Sequence, residues 1–235
     1  MLRTTRRTLV SAFVGTVSCI AGSAEAQDTR AAMVRVIEAQ GVTDSATLAA
    51  MRAVPRHEFV PAEHRGRAYR DHPLPIGYGQ TISQPYIVAY MTEMLEPRPG
   101  MKVLEVGTGS AYQAAVLAET GADVYTMEII GALAEQAKAR LERLGYADRV
   151  HVRHGDGHFG WPEQAPFDAV IVTAAAGYIP PALVEQLRPE GRMIIPVGSV
   201  YGVQNLILVE KDADGEVTTR TLLPVRFVPM VGGER

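Results

Sequence analysis

The sequence predicts a doubly wound, mostly parallel α/β sheet, and three observations predict it. Between residues 102 and 187 short apolar strand candidates alternate with helical stretches, a pattern that implies parallel pairing through right-handed crossovers. The first of these strands runs straight into a glycine turn that opens a helix, as in sheets that bind a ligand at their strand ends. Three further strand candidates, at 192–196, 205–210 and 217–223, follow with no helix between them. The last two, joined across residues 212–215, predict an antiparallel hairpin that closes the sheet.

Taken in chain order, the first segment stands apart from the globule. Arg3, Arg6 and Arg7 precede an apolar run from Leu9 to Ala21, and Ala24-Glu25-Ala26 precedes Gln27. That three-part pattern predicts an export signal at residues 1–26, cleaved after Ala26, and hence an exported or periplasmic protein. Initiation at Met33, with a cytoplasmic chain, is the alternative. The apolar run is shorter than the roughly 20 residues that cross a bilayer, so no membrane anchor is expected after processing. Cys19 is the single cysteine, so the mature chain would hold no thiol. Cleavage would leave 20 basic against 25 acidic residues in place of 23 against 26, taking the formal net charge from −3 to −5. That charge, without a basic block, argues against nucleic acid as a partner.

Residues 27–100 read as N-terminal helices followed by a substrate loop, and 101–235 as the core of the same compact domain. Met33, Val34, Val36 and Ile37 give 29–40 an apolar helical face that Gly41 would end. A second helix starts at Thr43 or Asp44 as N-cap, buries Leu48 and Met51, and stops before Pro55. The stretch 55–85 holds five prolines and three histidines without a sustained period and reads as a long structured loop. Pro85 suits the first turn of a helix to residue 95, capped by Ser83 or Gln84. Strands are then expected at 102–106, 123–127, 150–153 and 167–172, with helices at 111–119, 130–144 and 181–187. A single domain of this kind carries no feature that calls for assembly, and a monomer is expected.

The chemistry gathers at the strand ends. Glu105, Gly107, Thr108, Gly109 and Ser110 form the turn after the first core strand, where glycines let a ligand approach the backbone. Glu128 ends the second strand 19 residues after Gly109, where nucleotide-binding sheets place an acid for the ribose hydroxyls. Asp156 and Gly157 follow the third strand, where an adenine amine would lie. Tyr112 occupies the position at which a dinucleotide turn has glycine or alanine, and no lysine follows the glycines as in a phosphate-binding loop. The turn therefore suits a ligand with a ribose and no phosphates, and S-adenosylmethionine is such a ligand. Its amino group is within reach of Glu105. No metal site is expected, since His151, His154 and His158 lack partners at ligand spacing.

The segments Val54–Pro61, Ala68-Tyr69, Asp71 and Leu74–Pro85 resemble the signature of protein-L-isoaspartate O-methyltransferases. The likeness continues through Gly107–Ser110, Tyr112–Ala115, Gly155–Gly157, Thr173–Ala175 and Pro224–Pro229, in the family's order. It implies a Rossmann-like S-adenosylmethionine-dependent methyltransferase fold whose partners are isoaspartyl-containing proteins and peptides. The same resemblance implies Ser83 as the active-site serine, with Thr81, Ile82 and Ser83 in the substrate loop. It further implies repair, in which the methyl ester closes to a succinimide and hydrolysis returns part of it to aspartate. The chain departs from the pattern at Ala111, where the family has glycine, at Val231, where many relatives have threonine, and in its N-terminal signal, since the family is usually cytosolic. A methyltransferase of this fold on another carboxylate or small molecule, or a non-catalytic binding protein, are the alternative functions.

Overall fold

A computed structural model describes residues 29–199 and 201–232. The predicted signal with Cys19 lies outside them. Helix α1 covers residues 29–39 and buries Met33, Val34 and Ile37. In helix α2 (Ser45–Ala53) the Asp44 carboxylate accepts from the Thr47 N–H at 2.7 Å, the N-cap its position predicts. Leu48 and Met51 face inward as expected. Helix α3 (Pro85–Met94) starts on the predicted proline, with Gln84 as its N-cap.

The stretch 55–85, expected as a long structured loop, contains regular elements. It forms two 3-10 helices, Arg56–Phe59 and Ala62–Arg67, and then a hairpin of β1 (Leu74–Gly77) and β2 (Gln80–Ile82). The turn residues Tyr78 and Gly79 both have positive φ, 52° and 71°, which is what a two-residue hairpin turn matched to strand twist requires. Pro75 conceals the strand in the sequence, yet it points to the exposed face while Leu74 and Ile76 are buried.

The core runs β3 (Lys102–Val106), α4 (Tyr112–Glu119), β4 (Asp123–Glu128), α5 (Gly131–Leu144), β5 (Val150–His154), β6 (Phe167–Val172), α6 (Pro181–Glu185), β7 (Leu187–Gly198), β8 (Gln204–Lys211) and β9 (Val217–Val225). Helix α6 stops short of residue 187, because Leu187 leaves it to pair with Phe167 and begins β7. The sheet order is β5-β4-β3-β6-β7-β8-β9. The first five are parallel, and β8 and β9 return antiparallel as the predicted closing hairpin.

Strand alternation divides the core. Val103, Val124, Ala169 and Ile171 face the side covered by α1–α5, while Leu104, Val106, Val170 and Val172 face the side of α6. The chain leaves β3 in one direction towards β4 and β5 and resumes on the other side at β6. This reversal opens a crevice at the carboxyl ends of β3 and β6, the position at which such sheets bind ligands.

Candidate active site

The crevice is a cleft lined by Gly107, Thr108, Gly109 and Ser110 from the turn after β3, and by Glu105 within that strand. Glu128 lines it from the end of β4. The β3 and β6 ends are tied by Thr173, whose hydroxyl lies 2.6 Å from the Gly107 carbonyl and 3.1 Å from that of Val106. Gly107 has φ 101°, and a Cβ there would stand 2.6 Å from Thr173 Oγ1, so any side chain would break the tie.

The two glutamates have different settings. Glu128 Oε2 accepts from the Gly109 N–H at 2.8 Å and Oε1 from the Ile130 N–H at 2.9 Å. It therefore shapes the turn and still has a second lone pair on each oxygen. Glu105 and Thr126 are direct neighbours in the β3–β4 register and share a face. The Thr126 hydroxyl donates to Glu105 Oε2 at 2.6 Å, while Glu105 Oε1 is buried with no partner. Burial pushes the Glu105 carboxyl up to about 8, with the Thr126 bond opposing and the Glu128 charge adding to the rise. That shift favours the protonated form of Glu105 in the absence of a cation beside it. A cationic ligand group at Oε1 would draw it to ionise, so the orphaned oxygen and the bare glycine turn together fit a nucleoside bearing an ammonium, as S-adenosylmethionine does.

Gly157 also lines the cleft, and a Cβ on it would collide with Val106 Cγ1. Asp156 lies directly before Gly157, beside the cleft, and is not itself among the lining residues. It is the N-cap of the 3-10 turn Gly157–Phe159, and its Oδ1 accepts from the His158 N–H at 2.9 Å and lies 2.9 Å from His158 Nδ1. Its role there is to hold the turn that carries Gly157. The three clustered histidines go to separate partners: His151 packs on Tyr125 with ring centroids 4.7 Å apart, and His154 Nε2 lies 3.1 Å from the Ile129 carbonyl.

Thr81, Ile82 and Ser83 close the cleft from the β2 end. Thr81 and Ser83 also line a second cavity, with Pro73, Gln84, Ile87 and the Pro224–Val228 stretch. Thr173 and Val228 complete the wall common to the two. The helix-cap role open to Ser83 in the sequence is taken by Gln84, which makes no side-chain cap, and Ser83 stands at the boundary between the cavities. Val228, Pro229, Met230 and Val231 reach the cleft because the chain after β9 crosses the end of β6, where Val228 O accepts from Ala175 N–H and Met230 N–H donates to Ala175 O, both at 2.8 Å. Sequence reasoning quoted Thr173 and Arg56 only as motif residues and did not find Thr126. The usable signal for Thr126 was a hydroxyl on the same strand as Glu128, opposite an acid.

Comparison with known proteins agrees with this geometry. The family model described as protein-L-isoaspartate(D-aspartate) O-methyltransferase matches residues 28–235. Protein-L-isoaspartate O-methyltransferase 2 of Syntrophobacter fumaroxidans is 59% identical over 214 residues, covering 87% of this chain and 86% of its own. Protein-L-isoaspartate O-methyltransferase 2 of a Polaromonas species is 61% identical over 189 residues, covering 80% and 89% respectively. A solved protein-L-isoaspartate O-methyltransferase superposes with a TM-score of 0.79 at 31% identity, across 86% of this chain and 66% of that one.

Proposed function

The chain belongs to the protein-L-isoaspartate(D-aspartate) O-methyltransferase family, and from that premise we propose how its own residues methylate the free α-carboxylate of L-isoaspartyl residues in damaged proteins, with S-adenosylmethionine as donor. The observation that carries this reading is the wall of Thr81, Ser83, Thr173 and Val228 shared by two cavities. One cavity holds the glycine turn and the two glutamates, and the other is open to an extended peptide.

Glu105 Oε1 would accept from the cofactor's ammonium, Glu128 from the ribose hydroxyls, and the 107–110 turn would lie against the nucleoside. When bound, S-adenosylmethionine supplies a methyl group carried on a sulfonium. The isoaspartyl α-carboxylate, with a pKa near roughly 4, reaches the cleft already ionised and needs no base to activate it. Positioning is then the main task left to the protein. Ser83 is set at the boundary to donate a hydrogen bond to that carboxylate or to the adjoining peptide backbone. Ile82, buried beside it, and the chain crossing at Val228–Val231 narrow the passage and exclude water.

An aspartyl residue carries its carboxylate on the side chain, one methylene away from the main-chain path, and a misplacement of about 1 Å costs roughly a hundredfold in rate. The test is methyl transfer to paired isoaspartyl and aspartyl peptides by the wild type and Ser83→Ala. Transfer confined to the isoaspartyl peptide, with turnover lowered in Ser83→Ala and cofactor affinity unchanged, is the expected outcome. Equal rates on the two peptides would overturn the reading. Arg3, Arg6, Arg7, the apolar run and Ala24-Glu25-Ala26 support a further part of the proposal, that the enzyme is exported and acts outside the cytoplasm.

A further inference from the structure

Arg56 is the largest fully buried side chain among the described residues, with no exposed surface. Burying a guanidinium costs several kcal/mol unless a carboxylate faces it, and an apolar side chain of similar volume would avoid that cost. No carboxylate among the described residues pairs with it. The adjacent Glu58 goes to Arg143 at 3.0 Å, and Asp71 accepts from Gln40 Nε2, Gln84 Nε2 and the Tyr86 N–H. Burial accordingly pulls the Arg56 pKa below its usual value.

What the guanidinium does hold is main chain. Nε donates to the Ala68 carbonyl at 2.8 Å and Nη2 to the Ser83 carbonyl at 2.7 Å, while its central carbon Cζ lies over the Tyr112 ring, 4.8 Å from the centroid. Nη1 has no partner. Ala68 and Ser83 bracket the stretch that contains the β1–β2 hairpin, and Tyr112 is the first residue of α4, directly after the turn that lines the cleft. Hydrogen bonds from a charged donor are about twice as strong as neutral ones, and the planar fork fixes two acceptors at once.

We propose that Arg56 is a positioning residue for methyl transfer: it holds the Ser83 backbone against the first turn of α4, and so sets the Ser83 hydroxyl relative to the cofactor turn. This inference rests on the role proposed for Ser83. A lysine at position 56 keeps the charge and can reach one carbonyl, but it lacks the planar fork that spans both.

The experiment compares wild type, Arg56→Lys, Ser83→Ala and the double variant, with kcat and KM for an isoaspartyl peptide and calorimetric titration of S-adenosylmethionine to count folded sites. Arg56→Lys carries the test because it keeps the buried charge and one of the two main-chain bonds. Arg56→Lys should lower kcat per cofactor site by about tenfold, a partial loss of the roughly hundredfold that 1 Å of misplacement costs, with the cofactor Kd within about twofold of wild type. In the Ser83→Ala background the same substitution should leave kcat unchanged, because the group it positions is gone. Wild-type kcat per site in Arg56→Lys, or an equal loss with and without Ser83, would overturn the proposal and reduce Arg56 to a core residue. A fully active Ser83→Ala would instead overturn the role of Ser83, which separates the two failures.

Discussion

Glu105 and Ala111 show how much one side chain can carry. Glu105 has its carboxyl raised to about 8 by burial, against roughly 4.3 in an unfolded chain. Between those values the unfolded state has released the proton that the folded state keeps, so the cofactor-free protein loses stability as pH rises from about 4 to 8. Glu105→Gln removes this slope, and denaturant unfolding at pH 6 and pH 8 measures it. Cofactor binding has the opposite dependence, because the ammonium favours the ionised form and expels the proton. The dissociation constant should fall as pH rises from 6 to 8 in the wild type and stay flat in Glu105→Gln. Ala111 has φ 67° at the N-cap of α4, a left-handed position that costs a non-glycine residue about 1–2 kcal/mol. Its methyl is fully buried and absent from the cleft lining, so the strain is offset by about 0.8 kcal/mol of burial and by the greater unfolded-state entropy of glycine. Ala111→Gly should therefore change the unfolding free energy by less than about 1 kcal/mol and the cofactor affinity by less than about twofold. A larger loss of affinity in the wild type than in Ala111→Gly would show that the methyl reaches the ligand after all. These two residues were legible to different degrees. The position of Glu105 before the glycines marked it as a cofactor group, but the upward shift of its carboxyl comes from burial in the packing around β3, against which the Thr126 bond works.

Among the elements, the junction of β3, β6 and α4 decides whether a ligand site exists. Thr173 bridges the two strand ends through a single hydroxyl aimed at two carbonyls. Thr173→Val is close to isosteric and leaves both carbonyls without that donor, at a cost of about 1–3 kcal/mol. The expected result is a lower denaturation midpoint with an unchanged m-value, together with weaker cofactor binding as the Gly107 turn relaxes. Unchanged binding would separate the bridge from the site. The strands and helices of the core were readable because apolar runs alternate with helical periods, and bounds such as 102–106 and 167–172 match the structure. The β1–β2 hairpin was not, since Pro73 and Pro75 mask its alternation and its turn depends on a tyrosine in a left-handed conformation. The shortening of α6 followed from strand pairing, which no local propensity encodes.

For the whole molecule, the proposed export predicts that the native protein is recovered outside the cytoplasm with Gln27 as its first residue. Recovery from the cytosol with residues 1–26 intact would refute it. On the same proposal, a chain starting at Gln27 should fold and bind cofactor as the full chain does, measured by thermal unfolding and titration. The sequence by itself determined the doubly wound class, the closing hairpin, the glycine turn with Glu105 and Glu128, and the family likeness around Ser83, because each rests on local periodicity or contiguous motif. Only the tertiary structure decided that Asp156 caps the turn that carries Gly157, that two cavities meet at Thr81, Ser83, Thr173 and Val228, and that Arg56 lies buried beneath the substrate loop with no carboxylate partner among the described residues. Those facts depend on which strand ends the reversal between β3 and β6 brings together, and on how distant segments divide a limited set of buried hydrogen-bond partners, and neither is written in the spacing of residues along the chain.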